Sequence, residues 1–281
     1  MTDIKKFNKP NFFILGAAKS GTTSLYHFLD QHPKIFMSKE KEPTFFCEDF
    51  QVVRNPIHYF ELYDNVTDHK AIGEASHGYF SDPKSPRLLK ALFPDAKFII
   101  TLRNPAERAF SLYQHMRRFR FEKISSFEKA LENEESRFHS KDFKRNNGQY
   151  FYNFMYYRSG LYGEQIQRYF SLFEREQFHI ITLNDIRNNF DSTIKGIWDF
   201  LEVEPMKHIE PEVFNKGYTV KYYFLDRLIN NKFTKNTPFE KLGHLTRGKT
   251  KKLKSSTRDE LMSKYTDDQE KLYNLIGIKF T

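Results

Sequence analysis

Phe12-Phe13-Ile14-Leu15-Gly16-Ala17-Ala18-Lys19-Ser20-Gly21-Thr22-Thr23-Ser24-Leu25 is an apolar run of strand length that stops at a glycine-bounded turn and resumes as a helix. A tight loop between strand and helix turns several backbone N–H groups toward one point. The positive end of the helix dipole faces the same point, so an anion belongs there. The nucleotide-triphosphatase form of such a loop places Lys and then Ser or Thr directly after the second glycine. Here Thr22 follows Gly21, and the lysine, Lys19, sits inside the loop. That position directs its ammonium back over the loop toward a bridging oxygen, not along a triphosphate tail.

A second segment points to the same edge of a sheet. Lys97-Phe98-Ile99-Ile100-Thr101-Leu102 reads as a buried strand, and Arg103-Asn104-Pro105-Ala106-Glu107-Arg108-Ala109-Phe110-Ser111 follows it. Pro105 suits the first turn of a helix, with Asn104 as its cap. In an open α/β sheet, ligands sit outside the carboxyl ends of the strands, where both Arg103 and the Gly16–Gly21 loop fall. Taken singly, Arg103 reads as a surface charge, Ser111 as a small residue at a helix contact, and Arg108 as a solvated or paired helix arginine.

Together the two segments resemble the sulfotransferases that use 3′-phosphoadenosine 5′-phosphosulfate (PAPS). Lys-Ser-Gly-Thr-Thr after a strand looks like their 5′-phosphosulfate loop, and Leu-Arg-Asn-Pro-x-x-Arg-x-x-Ser looks like their 3′-phosphate element. The resemblance implies that Lys19, Ser20, Gly21, Thr22, Thr23 and Ser24 hold the 5′ side of the donor while Arg103 and Ser111 hold the 3′-phosphate. A third piece, Lys41-Glu42-Pro43-Thr44-Phe45-Phe46, resembles the Lys-Glu-x-x-Phe-Phe segment of the glycan-type branch related to the heparan sulfate enzymes. It implies that Glu42 is the general base, with Glu40 as the nearby competitor. A base is chemically sensible, because an alcohol or amine loses its proton as it attacks sulfur. Gly73-Glu74-Ala75-Ser76-His77-Gly78-Tyr79-Phe80 lines up with the branch's Glu-Lys-x-Pro-x-Tyr segment but carries Ala75 for lysine and His77 for proline. The lost lysine argues against a polyanionic acceptor. Glu74 and His77 are expected on the acceptor side, ranked below Glu42. Lys216 and Gly217, after Asn215, are positional candidates for closing over the 3′-phosphate.

Strands alternating with helices imply an α/β, P-loop-like three-layer fold, a mostly parallel central sheet flanked by helices. The expected order is strand near 12–15, helix near 22–30, strand near 97–102, then helices near 105–119 and 162–173, strand near 178–183 and helix near 192–201. Ile194, Ile197, Trp198 and Leu201 follow helical spacing as core residues, with Asp191 as the expected cap. The chain is read as one domain over 1–281, with a donor-binding core at 11–203. Residues 120–160 are polar and aromatic and read as an acceptor-binding insertion or a packed helical lid. Residues 204–281 form a basic part packing on the core.

Net charge is +9 over 281 residues, and from Lys216 to Arg258 twelve Lys or Arg stand against Asp226 and Glu240. A basic tail suits nucleic acid or an anionic membrane, yet a donor with two phosphate groups and a sulfate already accounts for positive potential, so no nucleic-acid partner is expected. Cys47 is the only cysteine, which excludes an intramolecular disulfide. With no apolar span or signal-peptide core, the expectation is a soluble, cytoplasmic enzyme without a membrane anchor. PAPS is the expected donor, no metal is expected, and the acceptor is a small molecule or glycan. A nucleotide kinase or triphosphatase, or a non-catalytic anion- or nucleic-acid-binding protein of the same fold, remains the alternative.

Overall fold

In the computed structural model, which describes residues 7–206, 209, 219–220, 247–248 and 251–281, the chain alternates strands and helices. The elements run β1 (Phe12–Gly16), α1 (Thr22–Asp30), β2 (Ile35–Met37), α2 (Pro56–Glu61), β3 (Ala71–Ala75), α3 (Gly78–Ser81), α4 (Ser85–Leu92), β4 (Lys97–Leu102) and α5 (Pro105–Arg118). They continue through α6 (Phe127–Glu132), α7 (Glu134–His139), α8 (Lys141–Asn146), α9 (Tyr162–Phe170), β5 (Phe178–Thr182), α10 (Leu183–Asn188) and α11 (Phe190–Leu201). Two C-terminal helices, Ser255–Lys264 and Thr266–Ile276, follow.

The five strands form one sheet in the order β2-β3-β1-β4-β5, and every pairing is parallel. β1 is central and fully buried because both of its faces are covered. Successive strand residues point to opposite faces. Phe13, Leu15, Phe98 and Ile100 therefore enter one core with Tyr79 of α3 and Ile166 and Tyr169 of α9. Phe12, Ile14 and Ile99 enter another with Leu25 and Leu29 of α1 and Ile194, Ile197 and Trp198 of α11. Each such buried side chain stabilises the fold by about 1.5–3 kcal/mol. A third apolar cluster joins α5 to Phe127, Phe151, Phe154 and Tyr156, and to Leu261 and Tyr265 of the C-terminal helices. Most aromatic residues of the 120–160 segment are thus packing residues.

Two of the five strands lie outside the sequence expectation. β2 has only three residues, too few to show a period, and Ala-Ile-Gly-Glu-Ala of β3 has little strand propensity. Asn104 caps α5 as expected, its side chain accepting from the Ala106 and Glu107 amides. Asp191 does not cap α11: the helix starts earlier, at Phe190, which puts Asp191 in its first turn. α9 ends at Phe170, short of the expected 173.

Gly73 is paired with Phe12 across β3 and β1. A Cβ at Gly73 would overlap the Phe12 ring. Gly73→Ala is expected to lower unfolding free energy by about 1–3 kcal/mol through overpacking, measured as a lower urea midpoint at unchanged slope. A midpoint equal to wild type would show that Phe12 has room to move.

Candidate active site

β1, β3 and β4 are adjacent and parallel, so their carboxyl ends deliver three loops to one edge. From β1 comes the loop before α1. Its alanine is anchored to β4, with the Ala17 amide donating to Thr101 O at 2.7 Å. Gly21 holds φ +97° and is the N-cap of α1 without a side-chain cap. The first-turn amides of α1, which have no intrahelical partner, are therefore left for another acceptor. Thr23 and Ser24 keep exposed surface, while Thr22 and Ser20 are buried. Ser20 departs from the expectation most, because its hydroxyl has no exposed surface and its amide donates to Ala17 O.

Lys19 adopts left-handed φ +67° within this loop. Its Nζ lies 3.4 Å from His115 Nδ1 on α5. Burial, then the charges of Arg118, Lys41 and Arg103, lower its pKa from 10.5 to about 8. His115 is lowered to about 3 by burial and by Lys19 and Arg118. The imidazole is thus neutral, and Arg118 Nη2 also approaches its Nδ1 at 3.2 Å.

From β4 comes Arg103, whose guanidinium binds Glu107 Oε2 at 3.1 Å one turn into α5. Its carbonyl accepts from the Tyr162 hydroxyl at 3.0 Å. Glu107, Ser111, His115 and Arg118 follow the i, i+4, i+8, i+11 spacing of one helix stripe. The structure therefore sets Ser111 on the face of α5 that also meets Lys19. Arg108 points elsewhere and is fully buried, donating to the Tyr156 carbonyl at 2.5 Å, so the solvated reading of this residue is corrected.

The third loop brings Glu42 and His77 together. Glu42 Oε2 accepts from the His77 amide at 2.8 Å and lies 2.7 Å from His77 Nδ1, while Oε1 pairs with Lys41 Nζ. Burial pushes the Glu42 carboxyl up, but His77 and Lys41 outweigh it and hold it well below the usual carboxylate range. His77 Nε2 lies 3.2 Å from Asn153 Oδ1. Glu40 is not part of this pair: its carbonyl accepts from the Ser38 hydroxyl, and the residue lies on the exposed side of the turn.

Glu74 needs a correction. It is a strand residue of β3 with 0% exposure, so its carboxylate has no surface with which to touch an acceptor. It accepts from the Tyr59 hydroxyl at 2.6 Å and the Ser76 hydroxyl at 2.7 Å. Ser76 Oγ in turn accepts from the Thr44 amide at 3.1 Å. Glu42 and Thr44 both hold positive φ, so Glu74 fastens a strained turn that presents Glu42. Burial raises the Glu74 carboxyl, an effect its hydroxyl donors only partly offset.

Sequence reasoning missed His115 and Arg118 as site members. Their signal was the i+4 and i+7 spacing from Ser111 on the helix already singled out. It also missed Asn153, which comes from a segment with no regular period. Lys216 and Gly217 lie outside the described residues, as does most of the basic stretch around them. Cys47 is a free, buried thiol whose pKa burial raises well above the ordinary value, in keeping with a packing role.

The gathered cations Lys19, Lys41, Arg103 and Arg118 and the uncapped α1 terminus fit a ligand with several negative charges. Similarity to known proteins bears on which one. Membrane-associated sulfotransferase kil1 of Dictyostelium discoideum is 26% identical over 296 residues, covering 76% of this chain and 63% of that protein. The human bifunctional heparan sulfate N-deacetylase/N-sulfotransferase 3 is 38% identical over 117 residues, covering 38% of this chain and 13% of that protein. The chain thus spans less than two thirds of either relative's length. The crystal structure of a sulfotransferase from Alicyclobacillus acidocaldarius superposes with a TM-score of 0.76 at 28% identity, covering 97% of this chain and 98% of that one. Since the family model described as the sulfotransferase domain also matches residues 9–274, the chain belongs to the sulfotransferase domain family.

Proposed function

We propose that this domain moves a sulfuryl group from PAPS to a hydroxyl or amine of a carbohydrate or other small acceptor. The observation that carries the reading is the placement of Lys19 in the loop before an uncapped helix terminus, beside His115 and within the field of Arg118, Lys41 and Arg103; burial first and these charges next lower its pKa. Such a cluster is unfavourable by itself and becomes favourable around a polyanion. PAPS supplies an activated sulfuryl group on a phosphate leaving group. The amides of the Gly21 turn, with Thr22, Thr23 and Ser24, hold its 5′ side, and Ser20, whose amide donates to Ala17 O, holds the loop in shape. Arg103 and Ser111 hold the 3′-phosphate. Lys19 neutralises the bridging oxygen as charge develops there, the kind of preorganised stabilisation worth about 10²–10³ in rate.

Glu42 is the proposed base. Held ionised by His77 and Lys41, it is in the form that accepts a proton, and Lys41 is drawn from it when the donor's negative charge arrives. His77 orients the carboxylate through its amide and ring, and Glu74 positions the turn from beneath. Ala75, where the heparan-type enzymes carry lysine, favours an acceptor of low negative charge. Thr22 in place of the phosphate-binding lysine disfavours a kinase. Among the described residues no helix is long and apolar enough to cross a membrane. A cytoplasmic setting belongs to this proposal, although the Dictyostelium relative is named membrane-associated.

Calorimetric titration with 3′-phosphoadenosine 5′-phosphate (PAP) tests the donor site. Micromolar binding that exceeds Mg-ATP binding and weakens at least about tenfold in Arg103→Ala is expected, as for loss of a charge-assisted hydrogen bond. A preference for Mg-ATP would sink the reading.

Lys19 gives a pH signature. Its native pKa of about 8 lies below 10.5, so between these values the unfolded chain binds the proton that the native protein has lost. The resulting instability is fully present below about pH 8 and is relieved as pH rises toward the unfolded value. A bound polyanion raises the native pKa again. PAP binding near pH 8.5 is therefore expected to take up protons, read as a dependence of binding enthalpy on buffer ionisation, whereas the phosphates of PAP, with pKa near 6, are already ionised there. Lys19→Met should abolish the uptake. Equal uptake in wild type and variant would assign it to another group.

Acceptor-independent PAPS hydrolysis by Lys19→Ala should fall about 10²–10³-fold. Retention of more than a tenth of the wild-type rate in the folded variant would remove Lys19 from the chemistry.

A further inference from the structure

Glu42 is held from two sides, and the two holds differ in permanence. Lys41 Nζ pairs with Oε1, while the His77 amide and ring Nδ1 both meet Oε2, at 2.8 and 2.7 Å. A polyanion beside Lys19 draws Lys41 away and frees Oε1 to take a proton. His77 then remains as the anchor of the base.

An imidazole bonded at one nitrogen can still turn about its Cβ–Cγ bond, and a half turn puts a carbon where Nδ1 was. A second bond, at Nε2, stops that turn. It comes from Asn153, whose Oδ1 lies 3.2 Å from His77 Nε2. The amide serves in either orientation, its carbonyl accepting from a protonated nitrogen or its NH2 donating to a bare one. Nδ1 carries a proton in both cases, because the ionised Glu42 facing it has none to give.

Asn153 is itself firmly placed. It belongs to the short 3-10 turn Phe151–Phe154 and is 7% exposed. Phe151 and Phe154 of the same turn are buried in the apolar cluster of α5, and the Asn153 amide donates to the Tyr150 carbonyl at 2.9 Å. The Tyr150 hydroxyl donates to the Gly78 carbonyl, also at 2.9 Å. One turn therefore grips both the ring of His77 and the backbone that follows it. Because α5 also carries Ser111 and His115, the turn ties the base to the donor-side helix.

We propose that Asn153 is a positioning residue for sulfuryl transfer, clamping the His77 ring so that Glu42 stays aimed once Lys41 has left it. The clamp rests on the sulfotransferase reading and on Glu42 as its base. Asn153 acts through His77, so its loss leaves donor binding intact.

The test follows PAPS hydrolysis by the full chain, read as PAP release, with water as the acceptor. In that step the water oxygen bonds to sulfur, the bond from sulfur to the bridging oxygen breaks with its electron pair leaving on PAP, and Glu42 Oε1 takes the proton. Asn153→Leu is expected to lower kcat about tenfold, the effect of a misaimed group, with KM for PAPS and PAP affinity unchanged. Asn153→Ala, which adds no bulk, should do the same. His77→Ala should lower kcat at least as far, and the double variant His77→Ala/Asn153→Leu should fall no further than His77→Ala alone. The clamp is overturned if Asn153→Leu and Asn153→Ala hydrolyse PAPS at the wild-type rate, if the double variant loses the product of the two single losses, or if PAP affinity falls as far as kcat. Failure of the wild type to bind PAP would overturn the donor reading instead, and the clamp with it.

Discussion

Parallel pairing of β1 on both of its edges is the constraint from which the site follows. Because β3 and β4 run in the same direction as β1, their carboxyl ends arrive together, and each connection must leave from the same edge of the sheet. The anion loop, the Ser76–His77 turn and Arg103 are neighbours for this reason. An antiparallel β3 would send Ser76 and His77 to the far end and leave Glu42 without its partner. The close packing of Gly73 on Phe12 holds the same β1–β3 pairing at its amino end.

The same edge concentrates unfavourable features. Lys19, Glu42 and Thr44 all adopt positive φ, uncommon for residues with side chains. Lys19 sits among like charges, and His115 is kept neutral between two cations. Three apolar clusters and a fully buried strand offset these costs, which fits the general pattern of strain held at functional sites by a rigid surround. Glu74 shows how local the support is. A buried carboxylate at the end of β3, held by tyrosine and serine hydroxyls, reaches the Thr44 amide through one serine and thereby fixes the turn that carries Glu42.

Residues whose role follows from local backbone chemistry were legible in the sequence. The loop from Gly16 to Gly21, the Asn104–Pro105 helix start and the apolar stripe of α11 each announce themselves within a few positions. β2 and β3 did not, because a three-residue strand has no period and β3 contains Gly73 and Glu74, which tertiary burial keeps in a strand against their propensity. That omission also misplaced Glu74 on the acceptor side, since only the pairing with β1 shows it to be interior. Arg108 was read as a solvated or paired helix arginine, and its full burial was not legible because the residues that bury it come from far along the chain. His115 was within reach, four residues beyond Ser111 on a helix already recognised.

The Lys41–Glu42–His77 arrangement gives the proposed mechanism an internal order. A carboxylate that accepts from two basic side chains and an amide is ionised but weakly basic, so the free protein holds Glu42 in the right charge state with little pull on a proton. Lys41 also adds to the positive field at Lys19. A polyanion beside Lys19 competes with Glu42 for Lys41, and each increment of charge transferred to the donor raises the basicity of Glu42. The amide and ring of His77 hold the other carboxylate oxygen in place during that change, so basicity rises without loss of aim. Under this reading the cation cluster does two jobs through one residue: it stabilises the donor, and it withholds proton abstraction until the donor is present.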